Sequence, residues 1–256
     1  MNPGEYEVMA AVEDRHWWYR GLRDAMARCL AQPDLRLPCH PRVLDAGCGT
    51  GATLRFLAQL LEPSYLGAFD SSPEALRLSA QKAPPGADLY LSDIRDPVLR
   101  AGQLDLVVSL DVLYIPGAEA SMKGLERLVS ALRSGGLLIL NLPAYDWLYS
   151  EHDVAVHTRE RFTVGRTRAL LDRLGLHVAR LTYRLCALFP AIALARIPGM
   201  IRARRGSTEA RSDLHAVPGE AMSRALLALL EMENRLLARG LRLPWGSSVF
   251  AVGRKT

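Results

Sequence analysis

Cysteine is scarce in this chain, and its spacing suits neither a metal site nor a disulfide framework. The four cysteines, Cys29, Cys39, Cys48 and Cys186, form no C-x-x-C pair. Structural zinc sites use closely paired thiolates, and small disulfide-stapled folds use denser cysteine patterns. We therefore expect free thiols, no bound metal and a cytoplasmic location.

The sequence also lacks a long uninterrupted apolar segment. Its first residues, MNPGEYEVMAAVEDRHWWYR, have no apolar core of the kind that a signal peptide needs. The most apolar stretch, residues 185–201, contains two prolines and an arginine, whereas a membrane-spanning helix needs about 20 apolar residues. We expect this stretch not to span a membrane.

A strong excess of charge is missing as well. Lysine and arginine total 32 against 27 acidic residues, a formal net charge of +5. Over 256 residues, this excess is a mild attraction to anions and is not by itself a nucleic-acid signature. Ordinary solubility and an anionic partner remain alternative explanations.

The chain does contain short apolar runs that alternate with helical segments. The runs lie at 42–45, 65–69, 88–91, 104–110 and 137–140. Strands that are apolar on both faces and separated by helices predict a doubly wound α/β fold with a mostly parallel sheet. Residues 177–183 and 247–252 complete a seven-stranded, Rossmann-like sheet, and the alternation in the last segment predicts an edge strand.

Two segments fall outside this minimal sheet. Residues 1–40 predict an N-terminal helical cap, with one or two helices over 5–31, and residues 185–244 predict a helical insertion. The sheet domain then comprises 41–184 and 245–256. The helix after Pro218 carries apolar residues on one predicted face, namely Met222, Leu226, Leu229, Leu230, Leu236 and Leu237.

The most informative segment is D-A-G-C-G-T-G at residues 45–51, at a predicted strand-to-helix turn. Alternate glycines let the backbone approach a ligand, and the N-terminus of the following helix attracts an anion. Asp70 ends the next strand, near the acidic position about twenty residues on that binds ribose hydroxyls in nucleotide folds. Asp93 ends the third strand, where a carboxylate can accept a hydrogen bond from an adenine amino group.

A dinucleotide-binding turn is the alternative. Gly47, Gly49 and Ala52 satisfy G-x-G-x-x-[GA], a weak pattern on its own. The acidic residue Asp45 directly before the turn and the position of the third glycine, Gly51, favour a different nucleoside cofactor.

The motif at 45–51, F-D at 69–70, S-D-I at 92–94 and L-D-V-L-Y at 110–114 resemble, in order and spacing, those of class I (type 11-like) S-adenosylmethionine-dependent methyltransferases. The resemblance covers roughly residues 40–185 and the last strand. It implies S-adenosylmethionine as cofactor, its carboxylate on the glycine turn and its ammonium at Asp45. The implied cofactor-binding residues are Asp45, Gly47, Cys48, Gly49, Gly51, Asp70, Ser71, Asp93, Ile94 and Leu110.

The segment E-D-R-H-W-W-Y-R at 13–20 looks like the N-terminal helix of a bacterial subset of these enzymes, often linked to cell-envelope glycolipids or secondary metabolites. Trp17, Trp18 and Tyr19 predict either a packing anchor or a lid over the cofactor. In the lid interpretation, Tyr19 or Arg23 contacts the carboxylate of the methionine part of the cofactor.

Methyl transfer from a sulfonium is an in-line displacement that needs alignment, and a base only when the acceptor must lose a proton. Asp111 lies where the donor methyl should point, with a turn or cap role as the alternative. His152 and His157 follow strand five, where similar enzymes carry H-x-R-R-Y. Glu160 and Phe162 depart from that motif, so a structural role is the alternative for both histidines; as a base, we favour His152.

The motif Asn141-Leu142-Pro143-Ala144-Tyr145 is similar to the N-P-P-Y signature of amino-nitrogen methyltransferases, but it follows strand five rather than strand four. We therefore expect no nucleic-acid substrate.

The leading hypothesis is methyl transfer to a small-molecule or lipid-linked acceptor, at oxygen, with nitrogen as an alternative. A catalytically silent, partner-binding module is the alternative from another class.

The insertion is expected to supply the acceptor pocket and a peripheral contact with the inner membrane face. Its apolar stretch is followed by arginines that can meet lipid phosphates, Arg196, Arg202, Arg204 and Arg205. The alternatives are packing against the 222–237 helix and a homodimer interface.

Overall fold

The computed structural model describes residues 3–204 and 218–256, which form one seven-stranded sheet covered by helices. The strands are β1 Arg42–Ala46, β2 Tyr65–Asp70, β3 Asp88–Leu91, β4 Leu104–Leu110, β5 Leu132–Pro143, β6 Leu176–Arg184 and β7 Ser248–Lys255. The helices are α1 Pro3–Val12, α2 Trp17–Leu30, α3 Ala52–Leu61, α4 Pro73–Ala80, α5 Ala118–Ala131, α6 Glu151–Ala155, α7 Val164–Arg173, α8 Phe189–Arg204 and α9 Glu220–Ala238. The predicted α/β fold is confirmed.

The strand order is β3-β2-β1-β4-β5-β7-β6. Strands β1 to β5 pair in parallel, and β7 runs antiparallel between β5 and β6. The prediction of an edge strand at the C-terminal end was therefore wrong. The small residues Ala251 and Gly253 are buried like the larger residues next to them. The alternation in this strand is therefore one of side-chain size and not of exposure to water.

Helices cover both faces of the sheet, and successive side chains of a strand point to opposite faces. Val43 packs in a cluster with residues of α2 and α3, whereas Leu44 packs with residues of α5 and α7. The chain order reverses between β1 and β4, and ligands of doubly wound folds bind at the carboxyl ends of the strands at such a point.

The N-terminal helix α2 packs against α9. Asn234 donates its Nδ2–H to the Gly21 carbonyl at 2.8 Å, and a Cβ on Gly21 would lie 2.4 Å from Leu230 Cδ1. The buried face of α9 thus includes a polar residue, whereas Met222 and Leu236 are exposed. The predicted apolar face of this helix was wrong at these two positions, since a hydrogen bond to the backbone of α2 sets its orientation.

The apolar stretch before residue 201 forms most of α8, which continues through Pro198. Helix α8 packs mainly against α6 and the turn at Asp146–Leu148, so packing against α9 is not its main contact. Among the described helices, none is long and apolar enough to cross a membrane. Arg205 lies outside the described residues.

Candidate active site

The turn between β1 and α3 forms a close-fitting backbone cradle. The N–H groups of Gly47 and Cys48 both donate to the Phe69 carbonyl, at 2.8 and 2.9 Å, and so tie the turn to the end of β2. Gly47 and Gly49 have φ of +86° and +52°, where glycine avoids strain. A Cβ on Gly47 would lie 2.4 Å from Val112 Cγ2.

Two carboxylates stand at the ends of neighbouring strands beside this turn. Asp70 accepts hydrogen bonds from the N–H groups of Gly49 at 3.0 Å and Ser72 at 2.9 Å. Asp45 is buried, and its Oδ2 has no hydrogen-bond partner among the described residues. Burial, and then the charges of Asp70 and Glu13, raise the pKa of Asp45 to about 8. Burial also raises the pKa of Asp70.

A chain of polar side chains runs across the ends of β4, β5 and β6. Asp111 follows β4 with φ +55°, and both of its carboxylate oxygens accept from Asn141 Nδ2. The fully buried Arg184 donates from Nη1 to Asn141 Oδ1 at 3.5 Å. Burial raises the pKa of Asp111 to about 7, opposed by Asn141 and Arg184. A carboxylate with this pKa can take up a proton near neutral pH.

Helices α1 and α2 lie over the glycine turn. Between them, the buried Glu13 forms an ion pair with Lys82, just after α4, and accepts a hydrogen bond from Thr50 Oγ1 at 2.6 Å. Tyr6 of α1 lies near Asp70: burial and that carboxylate raise the pKa of Tyr6 to about 12. Sequence reasoning missed these contacts, because they join residues far apart in the chain.

The aromatic residues at the start of α2 also face the ligand space. His16 accepts the Trp18 N–H at Nδ1, 3.3 Å away, and begins the helix. The rings of His16 and Trp17 stack with centroids 5.5 Å apart, and Trp18 meets Tyr19 edge-on at 4.9 Å. All four side chains line the same cavity.

That cavity has a volume of about 590 Å³ and joins the glycine turn to α6 and α8. Small-molecule and cofactor sites typically enclose about 300–1,000 Å³. The predicted site residues that line it are Tyr19, Asp45, Gly47, Cys48, Gly49, Asp70, Ser71, Ile94, Leu110, Asp111 and His152.

The predicted site residue Asp93 is half-buried and is not among the residues that line this cavity. Its carboxylate pairs with Arg95, with Nη2 and Oδ2 2.5 Å apart. The neighbours Ser92 and Ile94 line the cavity instead.

Two further predicted residues lie outside the wall. Gly51 begins α3 with φ +92°, and a Cβ there would lie 2.9 Å from the Cα of Ser79, so this glycine shapes the turn from behind. The side chain of His157 is exposed just after α6. Of the two loop histidines, the structure brings His152 to the cavity.

Residues 43–136, which hold the turn and four strands of the sheet, match the family model described as a methyltransferase domain. This segment is therefore similar to a methyltransferase domain. The chain is similar to magnesium-protoporphyrin O-methyltransferase of Rhodobacter capsulatus, 36% identical over 97 residues, which are 36% of this chain and 41% of that protein. It is also similar to trans-aconitate 2-methyltransferase of Deinococcus radiodurans, 30% identical over 145 residues, which are 56% of this chain and 51% of that protein.

The chain matches only 28% to 51% of the length of such curated relatives. A solved S-adenosylmethionine-dependent methyltransferase from Mesorhizobium loti covers more of it. The two structures superpose with a TM-score of 0.58 over 95% of this chain and 100% of that one, at 17% identity. The similarity shows a shared fold.

The polar groups of this methyltransferase-like domain fit the cofactor of this family. The buried Oδ2 of Asp45, which has no partner in the described part of the chain, suits an ammonium group. Side chains at Gly47 or Gly49 would crowd Val112 or Met9, so this turn keeps a bare backbone that a ligand's carboxylate can approach closely. The N-terminus of α3 also favours an anion. Asp70 presents a carboxylate to the cavity, as ribose recognition requires.

Proposed function

We propose that this protein transfers the methyl group of S-adenosylmethionine to an oxygen atom of a small-molecule or lipid-linked acceptor. One observation carries the proposal: a single cavity joins the glycine turn and Asp70 to Asp111, His152 and helix α8. Similarity to a magnesium-protoporphyrin O-methyltransferase supports oxygen as the acceptor atom.

In this function, residues 1–40 act as a cap over the cofactor and residues 185–244 supply part of the acceptor wall. The cap interpretation is supported by the burial of Glu13 against Lys82 and by the position of Tyr19 in the cavity wall. The acceptor wall is supported by Ile192 and Arg196 of α8.

The cofactor, when bound, supplies a methyl group activated on a sulfonium. An acceptor oxygen that attacks in line forms a C–O bond while the C–S bond breaks, and the leaving group is a neutral thioether. The chain's task is to align the acceptor and exclude water. A hydroxyl acceptor must also lose its proton; Asp111, with a pKa of about 7, is the first candidate to accept it and His152 the second.

The test is calorimetric binding of S-adenosylmethionine, followed by transfer of labelled methyl to fractionated host lipids and polar metabolites. We expect binding, and label that becomes oxygen-linked in one fraction. Absence of cofactor binding would contradict the proposal. Binding without transfer to any fraction would instead support a silent, partner-binding module.

We also propose a peripheral contact with the inner membrane face, through which a lipid-linked acceptor reaches the cavity. Leu194, Ile197 and Ile201 follow one another at helical spacing on α8 and are 67%, 46% and 46% exposed. Arg202 is next to them, exposed and paired with Glu151 at 2.8 Å. Apolar residues beside a cation are typical of helices that lie in a lipid headgroup layer.

A further inference from the structure

Next to the Asp111–Asn141 pair lies a buried cation, Arg184, the last residue of β6. Its side chain is fully buried, and it is not among the residues that line the cavity. Burial lowers the pKa of Arg184 to about 10, opposed by the carboxylates of Glu233, Asp111 and Asp24. The guanidinium therefore stays charged at neutral pH, and it acts on the cavity only through its neighbours.

The register of three strands brings Arg184 to Asn141. Asn141 of β5 is in register with Phe250 of β7, and Phe250 is in register with Thr182 of β6. Paired residues point to the same face of a sheet, and Arg184 follows Thr182 by two positions, so its side chain points to that face as well. Arg184 Nη1 reaches across β7 and donates to Asn141 Oδ1 at 3.5 Å.

The backbone from which Arg184 extends is held by Glu233 of α9. This buried carboxylate accepts the Leu185 N–H at 2.6 Å and the Cys186 N–H at 2.8 Å. Its negative charge also favours the charged form of Arg184. The end of β6 and the guanidinium are therefore both fixed in place.

The side-chain amide of Asn141 stands between a group that only donates and a group that only accepts. A guanidinium has N–H donors and no acceptor, and an ionised carboxylate has acceptors and no donor. Arg184 therefore takes the Oδ1 end of the amide, and the Nδ2 end faces both oxygens of Asp111, at 3.1 and 2.9 Å. If the amide turned over, its oxygen would face the carboxylate and favour the protonated form.

The other groups that face Asp111 are neutral near pH 7. Burial raises the pKa of Asp111, and Asn141 and Arg184 lower it. The phenols of Tyr19 and Tyr114 line the same cavity and sense the Asp111 carboxylate. Burial raises the pKa of both phenols, so they stay protonated. The charge that opposes protonation of Asp111 thus comes from Arg184.

We propose that Arg184 is a positioning residue: it fixes the orientation of the Asn141 amide and thereby keeps Asp111 in the ionised form that can accept a proton. The inference rests on the proposed function, in which Asp111 takes the proton of the acceptor hydroxyl. Arg184 touches neither the cofactor nor the acceptor.

The experiment is a double-mutant cycle on the full ligand-free chain, with the titration midpoint of Asp111 followed by carboxyl-carbon NMR. Arg184→Met removes the charge and the donors, and we expect the midpoint to rise. The rise should be larger in the parent than in Asn141→Leu by about half a pKa unit or more, a coupling of the size found within one hydrogen-bond network. Direct attraction between the two charges is present in both backgrounds and cancels in this comparison.

The variant Arg184→Lys keeps a charge and a donor, and we expect it to restore most of the low midpoint. Arg180→Met is the matched control, because Arg180 lies on the same strand but pairs with the exposed Asp34; its midpoint for Asp111 should equal that of the parent. Equal shifts in the two backgrounds overturn the inference, since Arg184 would then act through space alone. Should Arg184→Met fail to fold, Arg184→Gln, which is neutral and too short to reach Asn141, replaces it in the cycle with the same two outcomes.

Binding of S-adenosylhomocysteine to the parent chain tests the proposed function separately. Its absence would contradict that function. The midpoint of Asp111 is measured without cofactor, so it decides the role of Arg184 in either case.

Discussion

Asn141 donates its side-chain amide to both carboxylate oxygens of Asp111, at 3.1 and 2.9 Å. The backbone adds a third bond, from the Asp111 N–H to the Asn141 carbonyl at 2.9 Å. Leu110 is in register with Asn141 across β4 and β5, so the sheet itself sets this pair. It holds Asp111 at φ +55°, a conformation that non-glycine residues adopt only when their surroundings require it.

Replacing Asn141 by leucine removes two hydrogen bonds to the ionised form of Asp111. We expect the pKa of Asp111 to rise from about 7 by about one unit or more, since bonds to charged groups contribute about 1.5–3 kcal/mol. Carboxyl-carbon NMR titration measures it, with the exposed Asp96 as internal reference. An unchanged midpoint would show that Asn141 does not stabilise the carboxylate.

The raised pKa of Asp45 predicts that cofactor binding releases protons. At pH 7 this group is mostly protonated, because its pKa is about 8; an adjacent ammonium favours the ionised form. Calorimetry in buffers of different ionisation enthalpy should show release approaching one proton per cofactor near pH 7, and Asp45→Asn should abolish it. Binding without proton exchange would place the ammonium elsewhere.

The same group predicts the sign of a pH effect on stability. Between its ordinary value of 3.8 and about 8, the folded ligand-free chain keeps a proton that the unfolded chain has released. Stability from this group is therefore present below about pH 4 and is lost as pH rises through 8. In urea unfolding, Asp45→Asn should flatten this decline.

Asp70 and Asp93 are predicted to differ sharply in their effect on cofactor affinity. Asp70→Ala removes the carboxylate that faces the cavity and binds the Gly49 N–H, so we expect a loss of about 2–3 kcal/mol. Asp93→Ala removes an exposed pair with the Arg95 side chain and a hydrogen bond from the Arg95 N–H, and we expect a change in cofactor affinity of less than about twofold. Equal losses of cofactor affinity in the two variants would show that Asp93 also binds the cofactor. Full affinity in Asp70→Ala would contradict the cofactor assignment.

Glu13 offers a sharp test of the cap, because removal of one partner of a buried ion pair costs about 3–5 kcal/mol. We expect Glu13→Gln to lower the free energy of unfolding and to weaken cofactor binding about tenfold or more. Asp14→Asn is the matched control, since Asp14 pairs with Arg55 at the surface. A destabilised Glu13→Gln with unchanged cofactor affinity would show that this segment stabilises the fold without covering the ligand.

The exposed face of α8 predicts binding to anionic vesicles. Changing Leu194, Ile197 and Ile201 together to serine removes the apolar contact, and we expect loss of flotation with vesicles of anionic phospholipid. Ala191, exposed on the same helix, gives a control as Ala191→Ser. Absence of flotation by the parent chain at low salt would assign this face to another role.

The cofactor end of the site could be predicted because its signals are local. The glycine turn and the acids Asp45 and Asp70 each lie at the end of an apolar run, and a parallel sheet places such ends together. Asp93 satisfied the same pattern, but the neighbouring Arg95 turns its carboxylate toward the surface. A pattern of residue types does not report which way a side chain points.

The remaining contacts depend on pairs that are distant in sequence. Asn141 belonged to a motif that matched another class of methyltransferase, and only the register of β4 and β5 shows its bond to Asp111. Glu13 meets Lys82 and Thr50 through the packing of α1 and α2. These pairs form through tertiary packing, so local sequence patterns do not predict them.

The link between Glu13 and the glycine turn has a consequence for turnover. On the proposed function, spent cofactor leaves only when the segment between α1 and α2 lifts, and lifting separates Glu13 from Lys82 and Thr50. Opening of this cap, rather than methyl transfer, is then expected to limit the catalytic rate, as in enzymes whose closed site must open for product release. Added salt would change that rate little, because a buried pair is weakly screened.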